Sequence, residues 1–291
     1  MNLKTQKEME TLANKWIIYD GNCGLCLNSK KWLTRLGIIP EGKCLNYHLL
    51  DESLSAKIDQ EHFRYEMALV DDQSDKTLYG LEGILEVFGA KVGLVKGIKP
   101  GSVLFTLLNF VYHTISYNRY FLFPRKSRFA CECDPPFVMK YFQRWMVLGI
   151  MIAMVVSALF GAFVAPLFEK TSIDMAGEML LIVGAGWGLQ LLFSGLLMTL
   201  DQKRDYWRHL VLIMVTGVLI LLPGMLFFWL PPASLSAVAI TSVTASSTVM
   251  ALMHFRRVRY MGLSQGWTIS WFLSLQAFAI WFSIQFNLLV L

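Results

Sequence analysis

The sequence predicts an α/β domain with a mixed four-stranded sheet and flanking helices, followed by an all-α transmembrane domain of about five spans. Composition favours a membrane protein, because 55% of the 291 residues are hydrophobic, 16% are charged and the mean hydropathy is +0.48. The distribution of charge supports a division into two domains, since 19 of the 26 lysines and arginines and 16 of the 21 acidic residues precede Trp145. The net charge of +5 is spread along the chain and therefore indicates no nucleic-acid partner.

The first structured segment is predicted to be a strand, a turn and a helix. Residues 16–19 form a β-branched and aromatic run typical of a buried strand, residues 20–22 have turn chemistry, and a helix follows from Leu25. Cys23 and Cys26 therefore stand where the helix begins. There, unpaired N–H groups and the positive end of the helix dipole stabilise a thiolate over a thiol.

Three residues of this segment are candidates for catalysis. Cys23 is expected to be the activated sulfur, and Cys26, one turn later on the same helical face, is placed to attack a mixed disulfide formed on Cys23. Asp20 could accept a proton from the resolving thiol or orient a water. It could equally be a turn residue whose side chain bonds to the backbone. The pattern predicts thiol-disulfide exchange through a dithiol, without a further cofactor or metal.

The later elements of this domain give the order β-α-β-α-β-β-α, which is that of a thioredoxin-like core. After the first helix come an extended run, a short helix, two strands and a last helix, at residues 43–50, 51–62, 66–70, 76–79 and 81–88. Thioredoxins and glutaredoxins carry a cis-proline facing the cysteine pair, but no proline occurs here between Pro40 and Pro100. Arg64, Tyr65 and Glu66 take that place, so substrate docking is expected to differ.

Three separated segments resemble the DCC family of thiol-disulfide oxidoreductases, which is named for an aspartate and two cysteines. The segments are Tyr19-Asp20-Gly21-x-Cys23-x-x-Cys26, Leu78-Tyr79-Gly80, and the run from Tyr112 to Asn118-Arg119-Tyr120. Together they cover roughly the first 130 residues in the family's order. The resemblance implies a thioredoxin-like domain with a redox role.

A long amphipathic helix is predicted for residues 101–123, with a polar stripe opposite an apolar face. It could lie on the bilayer surface, but packing on the sheet is favoured because the family resemblance extends through it. A basic cluster follows and is expected to be a solvated or lipid-facing anchor, made of Arg119, Arg125, Lys126 and Arg128.

Five apolar stretches of the second half are long enough to cross a bilayer, at about residues 145–166, 177–200, 210–230, 233–253 and 267–291. The predicted organisation is a polar lead-in, a thioredoxin-like domain, a juxtamembrane linker and a transmembrane domain, at residues 1–15, 16–133, 134–144 and 145–291. The spans show little chemistry. His209 and His254 are expected at interfacial helix ends, where a haem pair would be poorly buried.

The loops predict the orientation of the spans. Basic residues gather before the first span, between the second and third, and between the fourth and fifth. One of the alternate loops holds Lys170 against Glu169 and Asp174, and the other holds no charge. By the positive-inside rule the first domain is cytoplasmic and the C-terminus is outside. The odd number of cysteines, all in the first half, also fits a reducing compartment. We expect an integral protein of the bacterial inner or plasma membrane.

Cys131 and Cys133 leave the site open to a second interpretation. With Cys23 and Cys26 they could complete a four-thiolate zinc or iron-sulfur site. They could also form an auxiliary dithiol, or lie in a plain loop before the first span. Cys44, on a predicted strand, is most simply a core residue.

The sequence therefore favours a membrane-anchored thiol-disulfide oxidoreductase on the cytoplasmic side. Its expected partners are a protein or small-molecule disulfide substrate, a cytosolic thiol reductant and the lipid bilayer. The alternative is a non-enzymatic membrane protein whose cytoplasmic domain binds metal or a partner through its cysteines.

Overall fold

The structure is a computed structural model that describes residues 12, 14–73, 76–123 and 137–285. The chain divides into two compact units, with the boundary after Trp145. Each unit has its own hydrophobic clusters.

The first unit is built on a four-stranded mixed sheet. Its strands are β1 (Lys15–Tyr19), β2 (Cys44–Asn46), β3 (Ala68–Asp71) and β4 (Thr77–Tyr79). The strand order is β2-β1-β3-β4, with β2 parallel to β1 and the two other pairings antiparallel. This arrangement confirms the predicted thioredoxin-like α/β fold.

Within the described residues, six α-helices accompany the sheet: α1 (Gly24–Arg35), α2 (Glu52–Ser55), α3 (Gln60–Phe63), α4 (Gly80–Lys91), α5 (Val103–Tyr117) and α6 (Arg119–Leu122). The helix predicted over residues 51–62 is in fact two short helices, because two aspartates each begin a new one. Asp51 accepts a hydrogen bond from Leu54 N at 2.9 Å, and Asp59 accepts one from Glu61 N at 2.9 Å.

The predicted helix over residues 101–123 is likewise interrupted. Helix α5 ends at Tyr117, and Asn118 separates it from α6. The Asn118 side chain donates to the carbonyl oxygen of Thr114 at 2.8 Å, which satisfies a group that the ended helix leaves unpaired. The interruption turns residues 119–122 back toward α1.

The two faces of the sheet bury separate apolar clusters. One contains Ile17, Cys44, Leu69 and Val87, and the other contains Ile18, Phe63, Ala68 and Val70. Alternation along β1 and β3 sends successive side chains to opposite faces. Cys44 is buried as predicted, and burial raises its pKa to about 11, so it is an inert core thiol.

The second unit is helical, and the first of its helices, α7, begins before the boundary at Trp145 and continues past it. Its helices are α7 (Met139–Val164), α8 (Ser172–Leu197), α9 (Leu200–Met225), α10 (Pro232–Tyr260) and α11 (Gly266–Gln285). In the described part of the chain, the first four of these are long and apolar enough to cross a membrane. The expected count of five spans is therefore approximate, with α11 at the position of the fifth.

A chain of polar side chains, three of them buried and the fourth, Thr268, half-buried, joins four of these helices. Gln190 donates to the hydroxyl of Tyr206 at 2.6 Å, and that hydroxyl lies 2.9 Å from Nε2 of His254. The other ring nitrogen of His254 lies 3.1 Å from the hydroxyl of Thr268. His254 and His209 were expected to be poorly buried at interfacial helix ends, but both are buried. Burial is tolerated because the polar atoms of His254 find partners on neighbouring helices.

Candidate functional site

The cysteine pair lies at the start of α1, as the sequence predicts. Cys23 is the N-cap residue in extended conformation, and the backbone N–H of Cys26 donates to the sulfur of Cys23 at 3.4 Å. The sulfur thus occupies the position in which a capping oxygen usually accepts from the first helical turn. Both residues are free thiols.

The environment separates the acidities of the two thiols. The hydrogen bond from the Cys26 thiol and the positive charge of Arg119 lower the pKa of Cys23, although burial opposes them. The same hydrogen bond, in which Cys26 is the donor, raises the pKa of Cys26 together with burial. The negative charge of the singly ionised pair therefore rests on Cys23, as a capping sulfur at a helix N-terminus would predict.

The exposures of the two cysteines do not match the roles expected for them. Cys23, expected to attack the substrate, has 0% of its surface exposed, whereas Cys26 is partly exposed and lines a cavity. An external disulfide cannot reach Cys23 in this conformation. The acidic sulfur and the accessible cysteine are two different residues.

Asp20 lies beside the pair, buried at 2% exposure, with both carboxylate oxygens engaged. Oδ1 accepts from the backbone N–H of Asn22 at 2.8 Å, which is the turn contact considered from the sequence, and lies 3.2 Å from Nε2 of His48. Oδ2 lies 3.5 Å from the guanidinium of Arg119 and accepts a hydrogen bond from the hydroxyl of Tyr120. Asp20 therefore organises a buried polar cluster.

Arg119 corrects the prediction of a basic membrane anchor at this point. It is buried at 3% exposure, contacts Asp20 and lines the same cavity as Cys26. Burial alone lowers the pKa of a guanidinium, but the sulfurs of Cys26 and Cys23 raise it, so the charge is retained. The interruption at Asn118 brings the arginine inward. The other members of the expected basic cluster, Arg125, Lys126 and Arg128, lie outside the described residues.

Gly80, in the second segment of the family resemblance, packs closely against residues next to the site. Gly80 has a φ of +59°, a conformation that favours glycine, and an added Cβ would collide with Glu66 and Tyr112. The hydroxyl of Tyr112 accepts from the backbone N–H of Met67 at 3.4 Å. Burial raises the pKa of Tyr112, so the phenol keeps its proton. The three segments that resemble the family therefore converge around one site.

The residues in the place of a cis-proline form a second polar group. Glu66 Oε1 lies 2.9 Å from Nε2 of His113, and Nδ1 of His113 lies 3.2 Å from the hydroxyl of Tyr141. The rings of Tyr65, Tyr117 and Tyr141 stack in series, with centroid separations of 4.5 and 3.7 Å. This stack fixes the segment against α5.

A cavity of about 390 Å³ opens beside Cys26. Its walls come from β1, α1, α4, α5 and the start of α6, and they are mainly aliphatic and aromatic. Arg119 and Lys30 supply its cationic groups. Volume and lining are typical of a small-molecule site.

His48 and Tyr120 are site residues that the sequence reasoning did not select. His48 follows β2 in a 3-10 turn and reaches Asp20 across the parallel strand pair. Tyr120 was part of the family resemblance, which was the available signal. Among the described residues, no three side chains of His, Cys, Asp or Glu group as metal ligands would. Cys131 and Cys133, on which the four-thiolate interpretation depends, lie outside them.

The fold and site define a thioredoxin-like redox domain joined to apolar helices. Residues 17–125 match the model of the family described as DCC1-like thiol-disulfide oxidoreductase, so the chain carries a domain of this family. The family resemblance in three segments is thereby confirmed. Searches of curated proteins and of solved structures found no match.

Proposed function

We propose that this protein is a membrane-anchored thiol-disulfide oxidoreductase whose redox centre is the pair Cys23 and Cys26. The observation that carries the proposal is the capping geometry, in which the Cys26 N–H donates to the Cys23 sulfur within the family domain. A thiolate stabilised in this way, with a second thiol one turn away, meets the requirements for exchange.

The proposed reaction consumes one disulfide and yields two thiols. A thiolate of the pair attacks one sulfur of the substrate RS–SR, forms a mixed disulfide and releases RS⁻. The second cysteine then attacks its partner's sulfur, closes the Cys23–Cys26 disulfide and releases the second RS⁻. Two electrons pass from the cysteines to the substrate, and a cytosolic thiol restores the dithiol.

Asp20 acts in this proposal as a positioning residue. Its carboxylate holds Arg119 and Tyr120 through Oδ2, and Arg119 in turn lowers the pKa of Cys23. Because Oδ1 is engaged by Asn22 N–H and His48, the carboxylate is fixed in orientation. It therefore helps the thiolate by holding Arg119 in place, while its own negative charge raises the pKa of Cys23 and Cys26 and opposes that effect.

The redox domain is proposed to face the cytoplasm. The helices α7 to α10 provide the anchor, and basic residues gather in the first three turns of α9 and the last two turns of α10. Basic residues at the ends of membrane helices favour the cytoplasmic side. Those residues are Lys203, Arg204, Arg208, Arg256, Arg257 and Arg259.

Trapping with 4,4′-dithiodipyridine tests the function on the full chain in detergent. Mass spectrometry of the peptide that contains both cysteines should show a Cys23–Cys26 disulfide and no pyridyl group in the wild type. At least one of the variants Cys23→Ser and Cys26→Ser should retain a pyridyl adduct. Cys44→Ser is the matched control and should behave like the wild type. Two stable adducts on the wild-type peptide, with no disulfide between its cysteines, would contradict exchange.

A further inference from the structure

We propose that the cavity beside Cys26 is the substrate site, and that it takes a small disulfide with apolar substituents. The inference rests on the proposed oxidoreductase function and deepens it. It also assigns the first covalent step to Cys26, because that cysteine lines the cavity while Cys23 is fully buried.

The walls of the cavity select an apolar substituent. Leu33, Ile84, Phe88 and Ile115 line it from three different helices. Two large apolar side chains lie at its margin with much of their surface in contact with water, Trp32 at 62% and Leu36 at 57% exposure. A ligand that covers these surfaces gains hydrophobic free energy that a polar ligand does not.

The backbone next to the cavity argues against an extended polypeptide. Binding of an extended chain needs free N–H and C=O groups on the receptor. Here the carbonyl of Tyr65 accepts from the hydroxyl of Ser116, and the N–H of Met67 donates to the hydroxyl of Tyr112. The carbonyl of Met67 accepts from the N–H of Gly80 at 2.9 Å. Helix α5 and the start of α4 thus satisfy the groups that a peptide would need.

The placement of the charges gives the sequence of steps. The Cys26 thiol passes its proton to the Cys23 sulfur along the hydrogen bond between them and attacks the substrate RS–SR. The Cys26–S–S–R bond forms, the substrate S–S bond breaks, and RS⁻ leaves beside the cationic Arg119. Cys23 gives its proton to this leaving group and attacks the Cys26 sulfur. The Cys23–Cys26 disulfide forms and the second RS⁻ departs, so two electrons have passed to the substrate.

Two disulfides of equal size test the substrate class. Dipropyl disulfide and bis(2-hydroxyethyl) disulfide differ only by a methyl against a hydroxyl at each end. Formation of the Cys23–Cys26 disulfide in the full chain is timed with each reagent and with glutathione disulfide. Every rate is divided by that of free dithiothreitol in the same detergent, which removes intrinsic reactivity and micelle partitioning. We expect dipropyl disulfide to be favoured on the order of tenfold, from the apolar area that each propyl group buries.

Substitutions in the cavity wall locate the site. Ser29 lines the cavity from an exposed position one turn after Cys26, and Ile115 lines it from α5. Ser29→Trp and Ile115→Trp should each slow the reaction with dipropyl disulfide at least fivefold. Asn28→Trp is the matched control, since Asn28 is the exposed neighbour of Ser29 on α1. It should leave the rate unchanged.

The outcomes separate this inference from the proposed function. A preference for dipropyl disulfide that Ser29→Trp or Ile115→Trp removes, with the first adduct trapped on Cys26 in a Cys23→Ser variant, supports the inference. Exchange that favours glutathione disulfide or ignores both wall substitutions overturns it and leaves the oxidoreductase function standing. An adduct on Cys23 in a Cys26→Ser variant, with none on Cys26 in Cys23→Ser, has the same consequence. Absence of exchange with all three reagents overturns both.

Discussion

Replacing Arg119 with Met should strongly destabilise the first unit, because it would leave Asp20 as a buried charge without its cation. The two charges lie 3.5 Å apart, with side-chain exposures of 4% and 2%. With an effective dielectric constant of about 20, the attraction at this distance is about 5 kcal/mol. Removing one partner of a buried pair typically costs about 3–5 kcal/mol.

A double-mutant cycle tests the origin of this loss. Asp20→Asn removes the stranded charge but keeps an oxygen that accepts from Asn22 N–H, so the variant carrying both substitutions should be more stable than Arg119→Met alone. We expect a coupling of about 2–3 kcal/mol between the two substitutions. Hydrogen exchange of the buried strand β3 in the full chain reports this unit alone.

The expected change is large enough to measure by mass spectrometry. Exchange of β3 in Arg119→Met should accelerate by roughly 10²- to 5 × 10³-fold at neutral pH. A loss below about 1 kcal/mol, or two single effects that simply add, would show that the pair is not a buried ion pair of the kind described.

Three further predictions concern other parts of the molecule. Burial raises the pKa of Cys44 from 9.0 to about 11. The stability that the protonated thiol contributes is therefore complete below pH 9 and is lost as the pH rises through 11. Denaturation of the wild type and of Cys44→Ala over this pH range measures the loss. Gly80→Ala should cost about 1–3 kcal/mol by hydrogen exchange, whereas Gly42→Ala, with nothing within 4 Å, should be nearly neutral. Tyr206→Phe removes the hydroxyl beside His254 and should lower stability in detergent by about 1 kcal/mol.

The parts of the site that the sequence could predict are local. A β-branched run, a turn and a helix start lie within a few residues of one another, so the position of Cys23 and Cys26 follows from short-range patterns. The prediction that Cys44 is a core residue is equally local, since it depends on the strand that carries it and on the residue type. These are the features for which neighbours along the chain decide the structure.

The parts that could not be predicted depend on contacts between distant residues. Arg119 resembles a membrane-boundary cation in sequence, and only the interruption at Asn118 and the contact with Asp20 make it a buried residue. The buried His254 depends on Tyr206, which lies 48 residues away in the chain. Zero exposure of Cys23 is likewise a tertiary property, since the helix start alone would predict an accessible sulfur.

A redox titration of the full chain tests the central claim most directly. The protein is equilibrated over a series of thiol–disulfide buffers whose potentials span about −300 to −120 mV, and the peptide containing Cys23 and Cys26 is analysed by mass spectrometry after acid quenching. We expect one reversible two-electron transition in which the thiols of Cys23 and Cys26 convert together to a single disulfide, while Cys44 remains a thiol throughout. Two cysteines that stay reduced under the most oxidising condition would contradict it.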